Sequence, residues 1–261
     1  MRATHRAPVV LTLHGTDVAL ARRGGVWLRT LRLACHRSTL VLAVSERLAA
    51  QVRELVPDLP ADRLRVIGNG VDPALLERTV SDSQRNGVVF VGRLEEEKGA
   101  SDAVRALARV PGEARLTLIG GGDPAPILSL ASSLGLADRV TAPGVRTHGE
   151  TLEAIAHAAV FVLPSHAEGF SVATLEAAAL GTPVVASDVG AIADILGSSE
   201  SLHTPGDVAE LAALLGHALE DRAWASERAK AARDRVARSF TWPAIAHALA
   251  AAYDDAREAR H

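Results

Sequence analysis

Short, wholly apolar runs punctuate the chain, and most are followed by a stretch whose apolar positions recur every three or four residues. The first pattern fits strands covered on both faces, the second amphipathic helices. Val9 to Leu13 predicts the first strand, Thr39 to Val44 the second and Leu64 to Ile67 the third. Between them, residues 22–36 predict a helix on Val26, Leu28, Leu31 and Leu33, and Ser45 caps a helix over ERLAAQVREL. Residues 73–87 lose the periodicity, end in SDSQRNG and predict a linker. A second series then opens with strand Val88 to Val91, helix 100–110, strand LTLI, helix 126–134, strand 139–141 and helix 151–158. Strand VFVLPS, helix VATLEAAAL and strand PVVASD follow, with Ser171 as N-cap and Gly181 as the stop. Asp207 and Glu210 predict a capping box for a helix over 208–219. Residues 224–239 read as a charged amphipathic helix, and TWPAIAHALAAAYDDA as a last helix with Pro243 in its first turn.

Strands that alternate with helices predict an α/β protein with parallel, doubly wound sheets. Two sheets are expected: an incomplete one in residues 1–80 and a full Rossmann-like one in residues 81–240. In such folds ligands bind at the C-terminal ends of strands. HGTD, GNGVD, GRLEEEK, GGGD, PGV and SHAEGFS all stand at such ends, and this shared placement weighs more than any one of them.

Composition narrows the class without naming it. The chain has 261 residues, 48% hydrophobic and 23% charged, as in ordinary globular proteins. A net charge of −3 gives no overall basic field for nucleic acid. Cys35 is the single cysteine, so no internal disulfide forms. The apolar run before His14 has five residues, too few for a secretory h-region. No stretch reaches the roughly 18 apolar residues of a membrane span. These features suit a cytoplasmic location; peripheral contact with the inner face of the membrane stays open.

Glu168 and Glu176 stand eight positions apart, one in the loop and one inside the helix that Ser171 caps. The free N–H groups at that helix start attract an anion, and a carboxylate on either side can hold hydroxyl groups. The combination describes a phosphorylated, polyhydroxylated ligand such as a nucleotide sugar. Arg93 and Lys98 follow a strand and can clamp a diphosphate; the plainer alternative is a solvated loop with Lys98 paired to Glu95 or Glu97. Only two of the 28 basic residues are lysines, which weighs against random surface charge at Lys98. His14 ends a strand, where it touches a sugar, moves a proton, or is a structural histidine with Asp17 capping the next helix; spacing leaves these open. His148, His157, His203 and His217 read as surface or helix-packing residues. No histidine spacing suggests a metal site.

Taken together these residues resemble the GT-B retaining glycosyltransferases of the family 4 type, which use nucleotide-sugar donors. EGFSVATLE matches the family's E-x7-E motif, GRLEEEKG its Arg/Lys phosphate motif and HGTD its first-domain motif, and the resemblance spans almost the whole chain. It implies that Arg93 and Lys98 hold the donor diphosphate and neutralise the leaving group, so that neither metal nor cofactor is needed. Glu168 would bind donor-sugar hydroxyls and Glu176 the ribose, with Gly169, Phe170, Ser171 and Val172 around the phosphates. Val145 would lie by the nucleobase and Gly121 would line the same cleft. His14 would face the sugar from the other domain, and residues 241–261 would form a helix crossing back to that domain. The expected partners are the donor and an unspecified glycan, lipid or small-molecule acceptor, with no nucleic acid.

Two departures stand out. A complete domain of this kind runs to roughly 150 residues, and fewer than 90 precede the second one here. Met1 therefore reads as a fragment boundary, a misassigned start or an authentic truncation. GAIADIL lacks the family's usual proline, and Asp194 stands near its acidic position. The expected function is retaining sugar transfer; the alternative is a catalytically impaired nucleotide-sugar-binding module that lacks the acceptor half.

Overall fold

A computed structural model describes residues 7–258. It contains two parallel sheets, as the alternation requires. The first is built from β1 (Val10–Leu13), α1 (Thr16–Arg22), α2 (Gly25–Arg37), β2 (Leu40–Ala43), α3 (Glu46–Leu55) and β3 (Leu64–Val66), with strand order β1-β2-β3. The second comprises β4 (Asn86–Val91), α4 (Ala100–Leu107), β5 (Leu116–Ile119), α5 (Ala125–Ser133), β6 (Val140–Gly144), α6 (His148–His157), β7 (Ala158–Leu163), α7 (Val172–Ala179), β8 (Val184–Ser187), α8 (Ile192–Leu196) and β9 (Leu202–His203). Its order is β6-β5-β4-β7-β8-β9, every pairing parallel. Helices α9 (Val208–Glu220), α10 (Arg222–Ser239) and α11 (Trp242–Glu258) complete the chain.

The apolar runs end up where their composition demands. All six residues of β7 and all four of β8 are buried, so continuous burial replaces alternation, as expected for strands flanked by helices. One core gathers residues of the first sheet and its helices from Leu13 to Leu64, and another gathers residues from Val71 to Val236. The last helix belongs to neither: Ala252 and Ala256 of α11 pack on Leu40 and Leu42, covering the other face of the first sheet. The turn into it is fixed by backbone pairing, Val71 N–H to the Phe240 carbonyl (2.8 Å) and Trp242 N–H to the Val71 carbonyl (3.0 Å).

Four local expectations change. Residues 16–22 form a helix of their own before α2, which starts at Gly25 rather than at residue 22. Helix α6 begins at His148, three residues before the apolar pattern, because Thr147 and Glu150 form a reciprocal capping box. Asp207 does cap α9, but the Glu210 carboxylate takes the Thr204 N–H (2.7 Å) instead of completing the box. The segment 73–87 is anchored: Leu75 is buried, and the buried Arg85 guanidinium donates to Thr182 Oγ1 (2.7 Å) and the Leu180 carbonyl (3.0 Å). Among the described residues no helix is long and apolar enough to cross a membrane.

Candidate functional site

Strand order fixes where a site can form. From β4 the chain builds outward through β5 and β6 on one side, then through β7, β8 and β9 on the other. Loops leaving the strands on either side of such a reversal diverge and open a crevice above the strand ends. Here those loops are GRLEEEKG after β4 and PSHAEGFS after β7. They form one wall of a cleft of about 840 Å³. The opposite wall comes from the strand ends of the first sheet: His14, Gly15 and Thr16 after β1, Ser45 and Arg47 after β2, and Asn69 after β3.

Glycines bring the walls together. A Cβ on Gly99 would lie 2.0 Å from the Pro164 carbonyl oxygen, so only glycine lets the loop after β4 rest on the loop after β7. A Cβ on Gly169 would lie 1.9 Å from the His14 carbonyl oxygen, so only glycine lets the second domain touch the first at this point. Two polar contacts close the same seam: Arg47 Nη2 to Asp188 Oδ1 (2.7 Å) and the Glu46 N–H to Asp194 Oδ2 (3.1 Å).

Of the residues singled out in the sequence, His14, Arg93, Lys98, Glu168, Gly169 and Phe170 meet in this cleft. Lys98 Nζ lies 2.8 Å from Glu168 Oε1, with side chains 19% and 10% exposed. Ser165 Oγ donates to the same oxygen at 2.9 Å. Two charges this dry cost desolvation energy, which their attraction and the hydroxyl hydrogen bond offset. Lys98 is therefore not paired with Glu95 or Glu97. Arg93 takes Glu95 (2.7 Å) in an exposed pair of the kind that contributes little, so its guanidinium can turn to another anion at small cost. Phe170 lines the cleft and also packs between the two cores, its ring 6.2 Å from that of Phe240.

The other candidates lie along the top of the second sheet. Ser171 caps α7 as expected, its hydroxyl accepting the Thr174 N–H at 3.2 Å. The first N–H groups of α7 have no intrahelical acceptor. Gly121 and Val145 are neighbours after β5 and β6, and Val145 is among the most exposed apolar residues. Glu176, in α7, is mostly buried, and His148 Nε2 lies 2.8 Å from its Oε1. The capping box that starts α6 aims His148 at this carboxylate. The same box holds the Glu150 carboxyl below its ordinary value, first through the Thr147 hydroxyl and then through the Thr147 N–H.

Sequence reasoning missed two contributors, His148 and His166. His148 was expected at the surface; it is exposed, but it partners a candidate ligand-binding carboxylate, and the signal was the T-x-x-E box. His166 lines the cleft, with its ring on Asp102 (2.8 Å) and its N–H on the Glu97 carbonyl (2.8 Å). His203, outside the cleft, lies neither at the surface nor on a helix: it is buried at the end of strand β9, which the sequence pattern does not predict. Its Nδ1 faces the Thr204 carbonyl at 2.9 Å and so carries the proton, and its Nε2 accepts from Ser187 Oγ at 3.3 Å. Burial holds the His203 pKa below the ordinary histidine value. Among the described residues, no three His, Cys, Asp or Glu side chains gather to hold a metal ion.

Two parallel-sheet domains facing each other across a cleft at their strand ends define a GT-B protein. Residues 71–235 match the model of glycosyl transferases group 1, and residues 1–75 that of glycosyltransferase family 4. The chain belongs to the group 1 glycosyl transferases, of the family 4 type. It is 34% identical to the glycogen synthase of Mycobacterium tuberculosis over 94% of this chain and 63% of that one, so it spans less than two thirds of that relative's length. Sucrose-phosphate synthase from Thermosynechococcus elongatus superposes with a TM-score of 0.83 at 29% identity, covering 96% of this chain and 68% of that one. Anabaena HepE in complex with UDP-glucose does so with a TM-score of 0.80 at 25% identity, covering 95% and 72%.

Proposed function

We propose that this cleft binds a nucleoside-diphosphate sugar and transfers the sugar to an acceptor with retained anomeric configuration, without a metal ion. The observation that carries the reading is the Lys98–Glu168 pair at 2.8 Å, at the end of the central strands and across the cleft from His14. A dry ion pair at a strand switch point is an expensive arrangement for a purely structural role. A diphosphate entering beside it would draw Lys98, and Arg93 would leave its exposed partner to join. Glu168 would then be released to accept hydrogen bonds from sugar hydroxyls. Glu176, held by His148, would take the ribose hydroxyls, and the backbone at Val145 the base.

Bond breaking in this scheme places negative charge on the departing diphosphate. The free N–H groups at the start of α7 are held in place by the helix, and Lys98 and Arg93 would exchange their present carboxylate partners for that charge; donors of this kind account for much of a rate enhancement. Closure of the two domains on the bound donor would exclude water and limit competing hydrolysis. That Anabaena HepE is described in complex with UDP-glucose supports a donor of this class. Isothermal titration of the chain with UDP, GDP and ADP in the presence of EDTA tests the donor site. One of the three should give heat, and silence from all three would overturn it. Release of UDP or GDP from the matching nucleotide sugar, dependent on acceptor and retained in EDTA, tests transfer.

A further inference from the structure

The two walls of the cleft differ in charge. On the second-domain wall Arg93 and Lys98 are balanced by Glu97 and Glu168. On the first-domain wall stand Arg22, Arg23 and Arg47, and among the described residues no Asp or Glu of that domain lines the cleft. This is a local excess in a chain whose net charge is −3. Arg47 is spoken for by Asp188, which it reaches through both the carboxylate and the backbone carbonyl. Arg22 meets Glu54 at 3.2 Å, with both side chains more than half exposed. Arg23 has no carboxylate within ion-pair distance among the described residues. It closes α1 and is followed by Gly24 at φ 77, so the chain turns away and leaves the side chain on the cleft wall. Basic residues at a helix end also complement the helix dipole, but that effect does not require them to line a cleft wall that carries no carboxylate of its own domain.

If the donor diphosphate takes Arg93 and Lys98, Arg23, exposed and without a carboxylate partner among the described residues, is the cleft-lining cation left to take a second anion. We propose that the acceptor handled by this cleft carries an oxyanion, a phosphate monoester or a carboxylate, bound by Arg23 with Arg22 beside it. The assignment rests on the donor reading above for which wall is which. The Arg23 guanidinium presents paired N–H donors that suit either group. A neutral sugar would gain no ionic contact from it, so anions should bind in preference.

The test is titration of the chain, free and saturated with UDP, with glucose 6-phosphate, glycerol 3-phosphate, glucuronate and glucose, repeated on Arg23→Ala and Arg23→Lys. At least one anionic compound should bind the UDP-saturated chain while glucose does not. Arg23→Ala should weaken that binding about tenfold or more, and Arg23→Lys less. Preference between the phosphate esters and glucuronate tells the two anions apart. Binding of glucose as tight as that of the anions, or of no anion at all, overturns the proposal. So does an Arg23→Ala variant that loses UDP in parallel, since Arg23 would then serve the donor. Failure of the unmodified chain to bind UDP sinks the donor reading instead, while the anion-against-glucose comparison still decides the role of the arginine wall.

Discussion

The carbonyl oxygen of His14 occupies the space in which a side chain at Gly169 would begin, 1.9 Å from the Cβ position. This contact joins the strand-end loop of the first domain to the loop carrying Glu168 in the second. It sets how far the cleft can close, because neither backbone can yield without moving its domain. Gly169→Ala should therefore wedge the domains apart and cost about 1–3 kcal/mol, the usual range for overpacking. Urea denaturation measures the loss, and small-angle scattering should show a larger radius of gyration. Unchanged values in both would mean that the domains do not meet here in solution.

Lys98 and Glu168 should separate on mutation although they touch. Lys98→Ala removes a cation from the proposed diphosphate site and leaves Glu168 as an unanswered charge beside it, so UDP should bind about tenfold to a hundredfold more weakly. Glu168→Gln keeps the Ser165 hydrogen bond and removes the negative charge. It should bind UDP at least as well as the unmodified chain while losing sugar transfer by about a hundredfold. Equal losses of UDP binding in both variants would assign the pair to structure.

How far the sequence reveals this molecule depends on which interactions are local. The strands of the second sheet were legible because they are buried on both faces and read as continuous apolar runs, VFVL above all. Ser45 and Ser171 were legible as caps because a cap acts within three residues. β9 was not, because its two residues are strand only by pairing with β8. Glu168 and Lys98 were recognisable as candidates from their place at strand ends. Their direct pairing across 70 positions was not, since it follows from β4 and β7 being neighbours in the sheet. His148 reads as a surface or helix-packing residue and is indeed exposed; its pairing with Glu176 is not legible, because that partner lies on another helix.

His148→Ala should weaken the nucleoside part of binding and spare the phosphate part. The substitution leaves the Glu176 carboxylate mostly buried without the 2.8 Å partner that orients it. A positioning role predicts about a threefold to tenfold loss of UDP affinity, the cost of one hydrogen bond, no loss for inorganic pyrophosphate, and partial rescue by His148→Gln. Equal weakening of UDP and pyrophosphate would show a general disturbance of α6 and α7.

His203 links stability to pH. Burial depresses its pKa in the folded chain below the unfolded value of about 6.5. Below that value the unfolded chain binds a proton that the folded chain resists, so the unfolded state gains and stability falls. The contribution is full above the unfolded pKa and is lost as the pH falls through the folded one. Asp102, Asp207 and Glu210 act in the opposite direction, but the burial effect is larger. Thermal unfolding should therefore show the melting temperature of the unmodified chain declining as the solution is acidified from neutral. His203→Gln can still donate to the Thr204 carbonyl but cannot titrate, so its decline should be shallower over the same range. Parallel declines in the two proteins would move the acid sensitivity to another group.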